Sequence, residues 1–328
     1  MYLIIIAFLI NLLPLEATSI QKEKELRPSI TFILGEDQKD SNPYYALAKQ
    51  YYLYNPNYKN NHYVDTCRSI VAVRNYLADH LPINAAGWGK ITIVVHSNQW
   101  TGISVPVIEG GHRTTINSLF ENIQTQEFQA LPDSIVNQAT IIDFKACGLG
   151  INKDLLKALA LAFGGFDEQQ PIVQSSENFI YYYTDEHQHI QSKHFKPYYA
   201  FYKTAFKPAN LHLVKELQEH YPTAEIDWLT AIQNKQPRWK DDFFHHRFNV
   251  PIEWYVYVDK DLATLNFDSE KKKIDFIEMQ PELMKIVRDF DIPIEKFRWT
   301  FVVEKEEGVA TVLIKGKATV LCVLEEVS

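Results

Sequence analysis

Short apolar runs alternating with amphipathic stretches constrain the fold of this chain more than any other feature. The runs are "SITFIL" (29–34), "HYV" (62–64), "KITIVV" (90–95), "ATIIDF" (139–144) and "PIVQSS" (171–176). "KITIVV" is apolar after its lysine except for Thr92, as expected of a strand buried on both faces. Between the runs lie stretches with helical periodicity. "NPYYALAKQYYLY" (42–54) has Ser41 or Asn42 to open it and Pro43 at its first position. "CRSIVAVRNYLADHL" (67–81) follows Asp65 and Thr66, either of which can cap it. "TTINSLFENIQ" (114–124) and "NKDLLKALALAF" (152–163) complete the set, the last capped by Asn152 and ended by Gly164-Gly165. Strand and helix in alternation predict an α/β fold, a mainly parallel sheet flanked by helices.

The texture changes past residue 176. Helical stretches are expected at 208–220, 225–233 and 281–289. From about residue 250 the pattern has period two, with turns expected at Glu307-Gly308 and Lys315-Gly316. The sequence therefore divides into an α/β domain over 29–235 and a smaller antiparallel, β-rich α+β domain over 248–328. Lys271-Lys272-Lys273 reads as a solvated turn, and no longer basic cluster exists. With a net charge of −8, nucleic acid is disfavoured as a partner.

The first 19 residues have the form of a signal peptide: an apolar stretch over 2–13, then Ala17-Thr18-Ser19 as a small-x-small cleavage site. That implies an exported protein, periplasmic or extracellular, with no membrane span once the signal is removed. Three cysteines cannot all pair, so at least one thiol stays free. Cys67, expected to open a helix, and Cys322, in an apolar strand, read as small core residues.

Cys147 is different. It follows "IIDFKA" and precedes Gly148-Leu149-Gly150, a turn into the next helix. His96 follows "ITIVV" in the same way, 51 residues earlier, with one loop and one helix between. Functional groups in open parallel sheets gather beyond the carboxyl ends of the strands. His96 and Cys147 are therefore expected at one edge, on consecutive strands. An imidazole there can depress the thiol's pKa below ~8.5 and supply a proton to a leaving group. The backbone N–H groups of Cys147 and Ser97 are the candidate oxyanion donors.

An apolar strand ending in His, followed by one ending in Ala-Cys, resembles the caspase-like cysteine peptidases, a clan that includes caspases, legumains, clostripain and gingipains. The resemblance covers roughly 29–176 and departs at Ser97, where the clan has Gly. It implies a peptidase with Cys147 as nucleophile and His96 as base and acid, acting on a peptide or protein substrate without a cofactor. It also implies that Lys145, two residues before the nucleophile, lines the pocket for the side chain preceding the scissile bond. Ser175, Ser176 and Arg113 are further candidate substrate-binding residues, Arg113 within the Gly-rich stretch "EGGHRTT". Asp143 reads as a structural partner. Two other readings stand beside this one: an inactive caspase-like binding or scaffold module, and a thiol enzyme for a non-peptide amide or thioester. The histidines of "HQHIQSKH" (187–194) and His245-His246 complete no ligand pattern, so no metal is expected.

Overall fold

The computed structural model describes residues 27–38, 43–58, 62–83, 85–165, 170–235, 243–258, 267–306 and 309–327. The expected signal segment and the Glu307-Gly308 turn lie outside these residues. In the first half the strands are β1 (Ser29–Ile33), β2 (His62–Val64), β3 (Lys90–Val94), β4 (Ser97–Asn98), β5 (Gly102–Pro106), β6 (Arg113–Thr114), β7 (Ile141–Lys145) and β8 (Ile172–Ser175). The helices are α1 (Tyr44–Tyr54), α2 (Ile70–Asp79), α3 (Ile116–Gln124) and α4 (Lys153–Gly164).

Five strands form one sheet in the order β2-β1-β3-β7-β8, every pairing parallel. Strand alternation sorts its side chains. Ile30, Phe32, Ile91, Ile93, Ile142 and Phe144 point to one face and pack under α2, α3 and α4 through Leu77, Leu119, Leu159 and Phe163. Ile33 and Val94 point to the other, under α1 through Tyr44, Tyr45, Ala48 and Tyr52. The helix boundaries reflect local chemistry. Ser69, rather than Asp65 or Thr66, caps α2, because its hydroxyl accepts the Ala72 N–H; Cys67 thus precedes the helix. Thr115 and Ser118 form a capping box on α3. Asp37 accepts the Tyr45 and Ala46 N–H groups at the start of α1.

The second half holds β9 (Phe179–Thr184), β10 (Ile190–Lys203), α5 (Asn210–His220), α6 (Trp228–Gln233), β11 (Phe244–Val258), α7 (Glu270–Glu278), α8 (Pro281–Asp289), β12 (Arg298–Glu306) and β13 (Val309–Val327). All its strands join one antiparallel sheet in the order β11-β13-β10-β9, with β12 also pairing β13. By sheet membership the change falls between β8 and β9, not at 235–248. The sequence reading placed it late because β9 and β10 carry polar stretches such as "QSKH".

Two other expectations are corrected here. Lys315-Gly316 is no turn: β13 runs straight through, and Gly316 is needed because an added Cβ would lie 2.3 Å from the Trp299 ring. Lys271-Lys272-Lys273 lies in the first turns of α7, capped by Ser269, not in a turn.

This second sheet curls. β9 and β11 are separated by two strands, which would put them ~14 Å apart in a flat sheet. Yet the Tyr181 and Phe244 rings are 5.4 Å apart across that gap. On the convex face α5 and α6 bury Leu213, Leu217, Trp228 and Ala231 against Tyr198, Ala200, Leu321 and Val323. The opposite face receives α7 and α8 at one end, through Phe276, Ile277, Leu283 and Val287. At the other end it receives the edge of the parallel sheet.

Candidate active site

The last pair in the β3–β7 register is Val94 with Lys145. Two residues on, past the carboxyl ends of both strands, come His96 and Cys147. The backbone stays tied beyond the sheet: Val95 N–H donates to the Lys145 carbonyl at 3.2 Å, and the Ser97 hydroxyl donates to the Cys147 carbonyl at 2.8 Å. The expected juxtaposition at one sheet edge is present.

His96 is held by aromatics. Its ring stacks on Tyr44 at 4.4 Å and meets Tyr45 edge-on at 4.7 Å, while its N–H donates to the Tyr45 hydroxyl at 3.0 Å. The residue is exposed on one side. The groups hemming in the ring lower its pKa by desolvation; Asp37 opposes this and Arg113 adds to it. Among the described residues, no side chain is hydrogen-bonded to the His96 ring.

Cys147 is only 8% exposed. Its Sγ lies 3.8 Å from the Ile180 carbonyl, to which the thiol donates. Burial pushes the thiol up to about 11, the reverse of the depression expected from an adjacent imidazole. The cause is the curled sheet: Cys147 packs in one cluster with Phe179, Phe195, Phe244, Cys322 and Leu324. The elbow after it fits because glycines flank Leu149 there. Gly148 has φ +64°, and a Cβ on Gly150 would sit 2.5 Å from the Ser175 carbonyl oxygen.

The other candidates have structural ties. Lys145 pairs with Asp143 at 3.0 Å, and Lys90 reaches the same carboxylate oxygen at 3.4 Å, so Asp143 is a structural partner and the Lys145 charge is largely compensated. Ser175 donates to the Phe144 carbonyl at 2.8 Å, and the Ser176 hydroxyl accepts the Asn178 N–H at 3.0 Å. Arg113 binds the Thr101 and Gly102 carbonyls, both at 3.0 Å, which pins β6 to the turn that follows His96.

Two features escaped the sequence reading. Trp100, at the tip of the β4–β5 turn, buries its ring against Tyr199, Phe201 and Phe248 and donates its N–H to the Phe290 carbonyl at 2.7 Å. It shares Tyr199 and Phe201 with a cavity of about 740 Å³, further lined by Tyr221, Glu216 and Lys296, that lies beside the site rather than over the thiol. The other is the place of His246, which the sequence suggests only as a metal ligand. It pairs across the sheet with Cys322, and so lies on the face that covers Cys147. The alternation of Phe244, His246 and Phe248 was the available signal. His194 lies in β10, and the His245 Nδ1–H donates to the Ala231 carbonyl at 3.1 Å. Among the described residues no group of three His, Cys, Asp or Glu is placed to hold a metal, and no helix is long and apolar enough to cross a membrane.

No protein-family model, curated protein or solved structure matches this chain. The parallel five-stranded sheet flanked by helices is compatible with the caspase-like fold, and the second sheet is separate from it.

Proposed function

We propose that this protein is a cysteine-dependent hydrolase, most simply a peptidase, with Cys147 as nucleophile and His96 as general base and acid. The observation that carries the reading is the in-register emergence of these two residues from adjacent parallel strands, at the edge where α/β sheets place their chemistry. In the reaction, His96 takes the thiol proton and the sulfur adds to the scissile carbonyl carbon. The carbonyl oxygen becomes an oxyanion beside the N–H groups of Cys147 and Ser97. As the C–N bond breaks, His96 returns the proton to the leaving amine and a thioester remains. Water, deprotonated by His96, then releases the acid and restores the thiol.

The thiol here is turned toward the Ile180 carbonyl and held protonated, so this arrangement is the resting one. The reaction requires Cys147 to rotate about its Cα–Cβ bond, loosening the Phe179 and Leu324 contacts, so that sulfur turns toward His96. The burial of Cys147 favours a second reading, an inactive caspase-like binding module. A fluorogenic peptide library separates the two. Hydrolysis that disappears in Cys147→Ala supports the enzyme. Hydrolysis equal in wild type and Cys147→Ala, or none in either, leaves the binding module. A small amide or thioester hydrolysed in place of every peptide would keep the thiol chemistry and change the substrate class.

A further inference from the structure

We propose that Tyr44 is a positioning residue for His96, and that its ring face, in place of a carboxylate, stabilises the imidazolium formed when His96 takes the thiol proton. The inference rests on the Cys147–His96 reading above. Tyr44 is tied to both strand ends. Its ring stacks on the His96 ring at 4.4 Å and 29°, and its hydroxyl donates to the carbonyl of Lys145, two residues before Cys147, at 3.2 Å. Tyr44 is only 4% exposed, braced by the rings of Tyr45 at 5.2 Å and Tyr182 at 5.4 Å. Tyr45 is fixed in turn against Gly35, where a Cβ would run into its ring.

A cation centred within ~6 Å of an aromatic face is attracted by the ring quadrupole. His96 meets that condition once it is protonated, while the neighbouring side-chain oxygens are committed elsewhere. The two oxygens of Asp37 accept the Tyr45 and Ala46 amides. The Tyr45 hydroxyl oxygen takes the His96 backbone N–H and the Ser104 hydroxyl. Tyr44 meets the imidazole with its π face, since the N–H bonds of a stacked ring lie in that ring's own plane. Burial keeps Tyr44 a neutral phenol, so it offers a quadrupole and no charge. When the proton passes from Sγ to His96, sulfur keeps the electron pair and the new positive charge spreads over a ring already lying on Tyr44. The same stack holds the imidazole plane while the proton is handed on to the leaving amine.

The test compares Tyr44→Phe with the same position carrying pentafluorophenylalanine, a ring of nearly the same shape whose quadrupole is reversed. The His96 pKa is read by proton NMR, its resonance assigned with His96→Gln, and kcat and KM are measured alongside, with Cys147→Ala as reference. Asp37 raises the His96 titration and Arg113 lowers it, and Cys147 beyond β7 and His246 on β11 also ionise on that side. All four are the same in both proteins, so the difference between the two rings isolates the stack. With the fluorinated ring His96 should titrate ~0.4–1.5 pH units lower and kcat should fall ~2–30-fold, with KM within about twofold. In a His96→Ala background the difference in turnover should vanish, since it passes through His96. An unchanged His96 pKa between the two rings overturns the inference alone. So does a loss of kcat that persists in the His96→Ala background, which marks a packing role. Absence of any Cys147-dependent turnover in wild type overturns the underlying reading instead, and with it a catalytic role for Tyr44, whatever the NMR titration gives.

Discussion

The thiol of Cys147 shows how strongly a neighbouring sheet can change a residue's chemistry. Burial raises it to about 11, so its thiolate population near neutral pH falls by at least ~100-fold against an ordinary cysteine. Native protein should therefore react with iodoacetamide much more slowly than a free thiol, and modification of Cys147 should accelerate as the pH passes 9 toward 11. Mass mapping over that range checks it; fast labelling at pH 7.5 would mean that the thiol is not covered. His246 shifts the other way. Its folded pKa, about 4, lies below its ordinary 6.5, so it adds stability above pH 6.5 that is lost as the pH falls toward 4. The shift corresponds to at most ~3 kcal/mol. Melting midpoints should fall over that window, and less steeply in His246→Gln. Asp143, held by Lys90 and Lys145 with its side chain only 6% exposed, is the third sensitive residue. Asp143→Ala leaves two partly solvated ammonium groups without their shared carboxylate and should cost ~1–2 kcal/mol of stability in chemical denaturation.

At the scale of elements, the parallel strands and their helices were legible because their signals are local. Continuous apolar runs, an Asn cap and the helical spacing of α2 and α4 all agree with the sheet that forms. The edge position of His96 and Cys147 was legible for the same reason, since it needs only strand ends and one crossover. Legibility failed where a residue's role depends on a distant partner. Gly316 looks like a turn, but within a strand a glycine equally marks close approach, here of Trp299. The polar stretch through Gln191 and His194 looks like a loop, but the strand it opens packs Phe195 on one face and Tyr198 and Ala200 on the other, and its partner β13 lies more than a hundred residues away. The elbow at Gly150 depends on such contacts as well. Gly150→Ala would press a methyl group into the Ser175 carbonyl and should destabilise by ~1–3 kcal/mol, with increased alkylation of Cys147 as the elbow shifts.

For the whole molecule, the two sheets are joined at the edge that carries Cys147. Trp100 enters the aromatic face of the curled sheet, and Cys147 enters the same face beside Tyr199 and Phe244. Trp100→Ala should cost ~3–5 kcal/mol and expose the thiol, which unfolding and alkylation measured together would reveal. A chain joined this way encloses Cys147 between both sheets, rather than leaving the edge of the parallel sheet bare. The claim is tested most directly by a peptidyl chloromethyl ketone, whose carbonyl draws the nucleophile and whose chloride leaves as the sulfur is alkylated. After incubation with the native protein, the adduct is located by peptide mass mapping. The account predicts one adduct, on Cys147, formed at least ~10-fold more slowly in His96→Ala. Labelling spread over Cys67, Cys147 and Cys322, or a Cys147 adduct that forms equally fast without His96, would contradict it.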